Sequence, residues 1–448
     1  MTCAKLLCVS LGANWRRLWT ADAISSLGDG AYAAAVPLLA VYFTRSPAQV
    51  AGVATAASLP WLLCSLHAGA VADRYDRRRL MSIAQIVQAL AVSLAAVTAM
   101  VPGGRIWMLY VTSFALGAAE TVFANSAQSI LPTIVAPAQL EAANGRQYAT
   151  ETVTQRFVGP PLGSLLFAAA LPATRSLPFW LDALTFALSA FLIARIYLPR
   201  PPAAAHITVA TDITAAADIT AAANPARPDH RPMRHDIAEG LRWLAHHRLL
   251  RTLAILLAVT NMAGQIANST FVLFATQQLH VGARGYGVLL AASAIGGVAG
   301  GLASRRIVAR LGTRRSIITG AGIGAASACV VGVLARDAYL MVVCMAASAF
   351  SATVWNVATV SMRQRIIPDR IRGRVNSVYR LAGWGSLPIG AALGGAIATT
   401  YGLRAPWFVA AAVRIGVVAV AALALRPALF AAAEAVVRSP QEPAPVAT

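Results

Sequence analysis

Residues 69–80 read GAVADRYDRRRL and lie between two long apolar stretches of the chain. The segment places four arginines and two aspartates in a turn only a few residues long. A turn this short holds two membrane helices side by side, with its charges at one surface of the bilayer. Those charges can therefore contact the ends of other helices. The segment predicts a helical membrane protein with a charged loop between its second and third spans.

The composition agrees with a membrane protein, because 58% of the 448 residues are hydrophobic and only 12% are charged. A soluble protein has about 25% charged residues. Apolar stretches of about 20 residues, the length that crosses a bilayer as a helix, recur along the chain. They predict twelve spans, numbered 1 to 12 in chain order, at 17–44, 48–71, 81–101, 106–134, 146–171, 177–198, 251–279, 285–304, 314–335, 337–362, 373–400 and 404–425.

The net charge of +20 could indicate nucleic-acid binding, but the distribution of arginines argues against that partner. With the N-terminus in the cytoplasm, the predicted outer loops hold one arginine each. The inner segments hold clusters, at 16–17, 74–79, 305–315, 363–374 and in the central linker. This asymmetry follows the positive-inside rule. It predicts a multi-pass protein of the cell inner membrane, surrounded by lipid, with both termini in the cytoplasm.

The spans divide six and six around a linker. We predict an N-terminal six-helix bundle at 1–198, a cytoplasmic linker at 199–250, a C-terminal bundle at 251–430 and a cytoplasmic tail at 431–448. The first part of the linker is of low complexity, with DITAAA repeated, which is typical of a mobile tether. Its last part mixes apolar residues and arginines, which favours an amphipathic helix on the inner surface that anchors span 7.

The two halves repeat each other. Polar residues of span 1 recur with the same spacing in span 7, and the arginines of 69–80 recur after span 8. An asparagine of span 4, the proline before span 5 and two glycines of span 5 recur in span 10, before span 11 and in span 11. The matched sets are Asp22, Ser26 and Asp29 with Asn261, Gln265 and Asn268; Arg74, Arg78 and Arg79 with Arg310, Arg314 and Arg315; and Asn125, Pro137, Gly159 and Gly163 with Asn356, Pro368, Gly390 and Gly394.

Residues 69–80 resemble the signature loop G-x-L-A-D-[RK]-x-G-[RK]-[RK] of the major facilitator superfamily of secondary transporters, with Asp76 where that pattern has glycine. The resemblance implies an all-α polytopic membrane protein of twelve transmembrane helices in two six-helix bundles. It also implies a small-molecule substrate bound between the halves, near the midplane, with access alternating as the halves rock.

The same resemblance implies a gate made by Gly69, Asp73, Arg74, Arg77 and Arg78. An acid is stabilised near the positive N-terminal end of a helix. Asp73 would meet that end of span 11 when the halves close on the cytoplasmic side, with Arg77 as its ion-pair partner. The alternative is a basic loop that only sets the topology.

Acidic residues inside the spans are the candidates for proton coupling. A charge at the bilayer centre costs about 2.5–3.5 kcal/mol on insertion scales, so such residues face the protein interior and tend to be functional. Asp29 and Glu120 lie near the middle of spans 1 and 4, Asp22 lies on the face of Asp29, and Glu151 lies in span 5.

The repeat places Asn268 where the first half has Asp29, so the acids are concentrated in the N-terminal half. We therefore expect this half to bind and release protons. The alternative is that each acid pairs with an arginine or a backbone group and locks helices together. Arg156 could neutralise Glu151 or Glu120, or could contact an anionic substrate, and the same choice applies to Arg380 and Arg414.

Three segments resemble exporters of this superfamily. Gly159, Pro160 and Gly163 belong to GPPLGS in span 5, which is similar to the exporter motif G-P-x-x-G-G and equally fits close helix packing. PDRIRGRV at 368–375 and EGLRW at 239–243 resemble the branch of enterobactin-type siderophore and macrolide exporters. Ser113 stands where drug/proton antiporters carry an arginine in span 4, so a relay through that arginine is not expected.

The sequence contains no nucleotide-binding, metal-ligand or catalytic motif, so we expect no enzyme activity, no cofactor and no metal. The favoured hypothesis is a monomeric, proton-coupled antiporter that exports a siderophore, antibiotic or other secondary metabolite. Two alternatives remain. A proton-coupled importer of a nutrient would use the same acids, and a membrane sensor or scaffold would not transport at all.

Overall fold

The computed structural model describes residues 12–65, 67–68, 71, 75–101, 105–136, 139–169, 172–197, 233–368 and 371–430. Within these residues all regular secondary structure is helical. In the first half, spans 1 to 4 are the helices Ala13–Phe43, Pro47–Leu63, Arg77–Met100 and Ile106–Ile134. Span 5 consists of Leu140–Glu151, a π-helical stretch Thr152–Val158 and Gly159–Phe167, and span 6 is Leu177–Ala194.

The second half begins with a helix Met233–His246 that precedes span 7. Span 7 is Arg248–Asn268, followed by Phe271–Leu273 and a π-helical stretch Phe274–Gln278. Spans 8 and 9 together occupy Ala283–Leu334, span 10 is Ala338–Ile366, span 11 is divided into Arg372–Gly385 and Leu387–Tyr401, and span 12 is Ala405–Ala424.

The junction of spans 8 and 9 differs from the prediction of a loop at 305–313. Helical backbone continues to Gly312, which has a φ of 76° and breaks the 52-residue stretch in two. Glycine adopts positive φ without the steric cost of a side chain, so a single residue suffices to reverse the chain. The arginines at 305–315 therefore extend the two helices beyond the apolar spans.

Nine helices among the described residues are long and apolar enough to cross a membrane. One of these is the double stretch Ala283–Leu334. Two further crossings fall outside that set, because Pro47–Leu63 has only 17 residues and span 5 is divided. The helices are therefore consistent with the twelve predicted spans.

Span 5 starts at Leu140, earlier than the predicted 146, and widens into a π-helix before Pro160. Proline has no amide hydrogen and its ring displaces the preceding turn. A wide turn is one of the identifiable ways in which a helix accommodates such a disturbance. The irregular turn thus directly precedes the segment that resembles the exporter motif.

Glycines of span 5 allow it to pack directly on span 1. A Cβ atom at Gly163 would overlap the backbone of Ala31, and one at Gly159 would overlap that of Gly30. The second half repeats this contact, since Gly394 of span 11 lies against the Ile266 carbonyl of span 7. The sequence repeat is therefore also a repeat of helix packing.

A pair of arginines also occupies equivalent positions in the two halves. Arg78 donates from Nη1 to the Ile196 carbonyl at 3.1 Å, just beyond span 6. Its counterpart Arg314 donates from Nη2 to the Ala422 carbonyl at 3.2 Å, in span 12. Each cation satisfies free carbonyls at a helix C-terminus, where the helix dipole also favours positive charge.

The two halves meet at the end where the loops carry single arginines. The Ala48 amide of span 2 donates to Thr399 Oγ1 of span 11 at 3.1 Å, and Ser164 Oγ of span 5 donates to the Arg284 carbonyl before span 8 at 3.3 Å. Nearer the middle, the rings of Trp61 and Trp384 lie 4.4 Å apart. Beyond these contacts a cavity separates the halves and extends toward the arginine-rich end.

The helix Met233–His246 packs on the start of span 11. Glu239 forms an ion pair with Arg374, and the carbonyl of Arg374 lies 2.9 Å from a Cβ built on Gly240. Leu244 is buried, whereas Leu241 is exposed. The amphipathic helix therefore reaches span 11 as well as leading into span 7.

Candidate functional site

Five carboxylic acids of the first half lie close enough together for their charges to interact. This acid cluster consists of Asp22 and Asp29 of span 1, Glu120 of span 4, Glu151 of span 5 and Asp182 of span 6. Asp182 is fully buried. Like charges in a medium of low dielectric repel each other, so each of these acids affects its neighbours. The cluster contains every acid that the sequence predicts as a candidate for proton coupling.

Hydrogen bonds position several of these carboxyl groups. Gln88 Nε2 of span 3 donates to Glu120 Oε2 at 2.9 Å, and Gln147 hydrogen-bonds to Asp22. Thr185 Oγ1 lies 3.4 Å from Asp182 Oδ1 and 2.8 Å from the Asp182 carbonyl oxygen. Oxygens of Asp22 and Asp182 are buried without a hydrogen-bond partner, which leaves each able to hold a proton.

Span 1 brings the cluster together through a close contact with span 6. A Cβ atom at Gly28 would overlap the side chains of Asp182 and Thr185, so the glycine places the neighbouring Asp29 beside span 6. Asp182 lies near the predicted outer end of span 6, so its position in the sequence does not by itself group it with the other acids. The packing shows that it belongs with Asp29.

Within the described part of the chain, Glu151 is the member of the cluster that forms an ion pair. Its Oε1 lies 3.5 Å from Arg156 Nη2, with the two side chains 37% and 54% exposed. A solvent-exposed pair of this kind contributes about 0–1 kcal/mol. Among the described residues, neutralisation by an arginine fits Glu151, whereas Asp29 and Glu120 have no arginine partner there.

A cavity of about 1410 Å³ lies between the halves. The first half contributes residues of spans 4 and 5 to its wall, and the second half contributes residues of spans 7 to 12. The described lining contains no aspartate or glutamate but contains four arginines, Arg156, Arg363, Arg380 and Arg414. The acid cluster and the cavity are thus separate, and they adjoin where Arg156 contacts Glu151.

The arginines of the second half make different contacts. Arg380 Nη2 donates to Asn125 Oδ1 at 2.6 Å, which joins span 11 to span 4 across the two halves. Arg414 Nη1 donates to the Gly324 carbonyl at 2.9 Å. The guanidinium carbon of Arg363 lies 4.2 Å from the centre of the Tyr379 ring.

Some candidates lie elsewhere. Asn268, the counterpart of Asp29, is exposed and does not line the cavity, whereas Asn261 lines it and donates to the Gly383 carbonyl at 2.9 Å. Sequence reasoning missed Gln88 and Arg363. The available signal for Gln88 was its position, one turn after Gln85 in the middle of an otherwise apolar span.

Gly69, Asp73 and Arg74 of the predicted gate lie outside the described residues. Arg77 donates from Nη1 to the Ser129 carbonyl of span 4 at 3.1 Å. Asp76, which replaces the glycine of the signature, accepts a hydrogen bond from the Arg79 amide at 3.2 Å. It thereby caps the N-terminus of span 3, a role for which aspartate is well suited.

The exporter-like segment lies at the contact between the halves. Gly159 and Gly163 face span 1, and a Cβ atom at Gly287 of span 8 would overlap the Pro160 carbonyl and Ser164 Oγ. The segment therefore joins span 5 to its own half and to the opposite half.

These features define the class of the protein: two packed repeats of membrane helices around a central cavity are the construction of a major facilitator superfamily transporter. The chain belongs to the transmembrane secretion effector family of that superfamily, whose model matches residues 12–447. It is a transporter and not an enzyme.

The chain is also similar to two multidrug efflux pumps. The multidrug efflux pump Tap of Mycobacterium tuberculosis (strain H37Rv) is 27% identical over 415 residues, which are 91% of this chain and 92% of Tap. The pump of the same name from Mycolicibacterium fortuitum is 26% identical over 386 residues, 84% and 87% of the two chains.

Solved structures share the fold at low sequence identity. A bacterial homologue of the iron transporter ferroportin in its inward-facing state gives a TM-score of 0.68 at 17% identity, covering 95% of this chain and 99% of that one. A bacterial homologue of ferroportin in its outward-facing state gives a TM-score of 0.58 at 18% identity, covering 92% of this chain and 100% of that one. The nucleoside transporter NupG gives a TM-score of 0.68 at 10% identity, covering 93% of this chain and 100% of NupG.

Proposed function

We propose that this transporter is a proton-coupled antiporter that exports a small organic molecule from the cytoplasm. The observation that carries the proposal is the separation of the acid cluster from the cavity. Protons and substrate would then have different binding sites within one molecule, and protonation of the cluster would shift the equilibrium between the arrangements of the halves that bind the substrate. The similarity to multidrug efflux pumps supports the direction of transport.

The orientation follows from the arginines. With the arginine-rich end and both termini in the cytoplasm, the cavity opens inward and the contacts at Ala48 and Ser164 close the outer side. The greater similarity to an inward-facing structure than to an outward-facing one supports this reading. We place the protein in the cytoplasmic membrane as a monomer, with six-helix bundles at 1–198 and 251–430.

The acid cluster would couple the proton to the movement. Unpaired carboxylates are expensive in a membrane interior, so the cluster is more stable after it takes up protons. A proton that enters from outside would stabilise one arrangement of spans 1, 4 and 6, and its release to the cytoplasm would favour the other. Asp73 would hold the cytoplasmic side closed in the outward-open state by meeting the N-terminus of span 11.

Metabolite profiles of cells and medium test export. We expect a deletion strain to accumulate one compound inside the cells, and wild-type protein to restore export of this compound to the medium. The variant Asp29→Asn should not restore export, because its amide cannot bind the proton. Asp337→Asn is the matched control, since Asp337 caps span 10 away from the cluster and asparagine also caps helices. Export by Asp29→Asn at the wild-type rate would refute the role of Asp29. A compound left unconsumed in the medium of the deletion strain would establish import.

A further inference from the structure

The cavity carries an unbalanced positive charge. Arg363, Arg380 and Arg414 line it from spans 10, 11 and 12, and none of them forms an ion pair within the described part of the chain. The described lining residues include no acid. Arg156 also lines the cavity, but it already has Glu151 as a partner. The uncompensated cations therefore belong to the wall contributed by the second half.

Charges of this kind rarely serve packing alone. A charged side chain inside a membrane is costly, and it is retained where it faces a water-filled cavity, a partner or a substrate path. Three cations on one wall also repel each other, which adds to the cost. An anion between them would remove both costs at once.

The hydrogen bonds within the protein leave donors free. A guanidinium group has five N–H donors. Arg414 uses one of them on the Gly324 carbonyl, Arg380 contacts Asn125 and Gln128, and Arg363 lies on the ring of Tyr379. The planar fork of arginine matches carboxylate and related oxyanions in two parallel hydrogen bonds.

The remaining wall is suited to an organic body. Trp355, Trp384, Leu257, Leu302 and Val417 also line the cavity. Drug-sized ligands occupy pockets of about 300–1,000 Å³, so a cavity of about 1410 Å³ has room for one together with water. Aromatic rings and aliphatic side chains beside arginines favour a ligand with an apolar body and an acidic group.

We propose that the cavity binds organic anions, with the carboxylate or sulfonate held by Arg363, Arg380 and Arg414 and the apolar body against Trp355 and Trp384. The inference deepens the proposed export function by naming its substrate class. The binding itself does not depend on the direction of transport or on proton coupling.

Two xanthene dyes of similar size and opposite charge test the proposal: carboxyfluorescein, which is anionic, and rhodamine 123, which is cationic. Their binding to the purified full-length protein in phosphatidylcholine nanodiscs is measured by fluorescence anisotropy. We expect carboxyfluorescein to bind more tightly, and Arg414→Gln and Arg380→Gln each to weaken it about tenfold, the loss of one charge-assisted hydrogen bond. Arg414→Lys, which keeps the charge, should recover part of the affinity.

The matched control is Arg336→Gln, which removes one exposed arginine outside the cavity lining and should leave binding unchanged. Thermal unfolding of each variant shows that it is folded. Preferential binding of rhodamine 123, binding of neither dye, or equal carboxyfluorescein affinity in all variants overturns the proposal. If phosphatidylglycerol in the nanodiscs displaces bound carboxyfluorescein from the protein, the site binds a lipid headgroup. That result also overturns the proposal.

Dye transport into inside-out vesicles separates this inference from the proposed export function. Selective, arginine-dependent binding without uptake supports the anion site and contradicts export. Uptake of rhodamine 123 in preference to carboxyfluorescein supports export and contradicts the anion site.

Discussion

Two groups of charged side chains lie within the described spans of this transporter. Carboxylates of spans 1, 4, 5 and 6 form the acid cluster, and arginines of spans 10, 11 and 12 face the cavity. Glu120 depends on one neutral partner, Gln88, whose buried amide donates to it at 2.9 Å. A hydrogen bond to a charged group contributes about 1.5–3 kcal/mol, so this contact helps to determine when Glu120 is charged.

At this scale we predict that Gln88→Leu lowers proton-driven transport about tenfold, because Glu120 loses the donor that stabilises its charged form. Vesicle transport under an imposed pH gradient measures the effect. Gln85→Leu is the matched control, since Gln85 is equally buried one turn away in the same helix. Equal losses in both variants would mean that Gln88 acts only through packing.

Span 5 is the element in which local irregularity has the clearest structural basis. Its π-helical stretch precedes Pro160, and Gly159 and Gly163 bring it into backbone contact with span 1. The same span touches span 8 of the other half at Gly287. Movement of span 5 would therefore be transmitted both to Asp29 on span 1 and to the opposite half.

We expect Gly163→Ala to destabilise the protein by about 1–3 kcal/mol, because the added methyl group overlaps the Ala31 backbone and forces the helices apart. Gly145→Ala in the same span is the control. No atom lies within 4 Å of a Cβ built there, and alanine favours a helix over glycine by about 1 kcal/mol. Thermal unfolding in detergent compares the stability of the two variants. A Gly163→Ala protein as stable as Gly145→Ala would exclude the close contact between spans 1 and 5.

At the scale of the whole molecule, the halves pack together at one end, and toward the other end a cavity lies between them that the contact of Arg380 with Asn125 crosses. Ala48 and Thr399 belong to different halves and are hydrogen-bonded at the closed end. Alternating access requires this contact to break in every cycle. The pair therefore reports on the rocking movement directly.

A double variant, Ala48→Cys with Thr399→Cys in a background without the five native cysteines, should form a disulfide on oxidation and lose transport. Reduction should restore it, because only the movement of the halves has been blocked. The two single-cysteine variants should be indifferent to oxidation. Full activity of the cross-linked protein would show that this end does not open during transport.

The helical membrane fold, the repeat between the two halves and the concentration of acids in the first half could be predicted from the sequence, since they depend on periodicity, hydropathy and spacing along the chain. The sequence also identified Arg380 and Arg414 but left their role open. Only the tertiary structure placed Asp182 and Gln88 with the acids, and the unpaired arginines around one cavity. Such groupings join residues of different helices, and the contacts that create them depend on how glycines and small side chains let the helices approach.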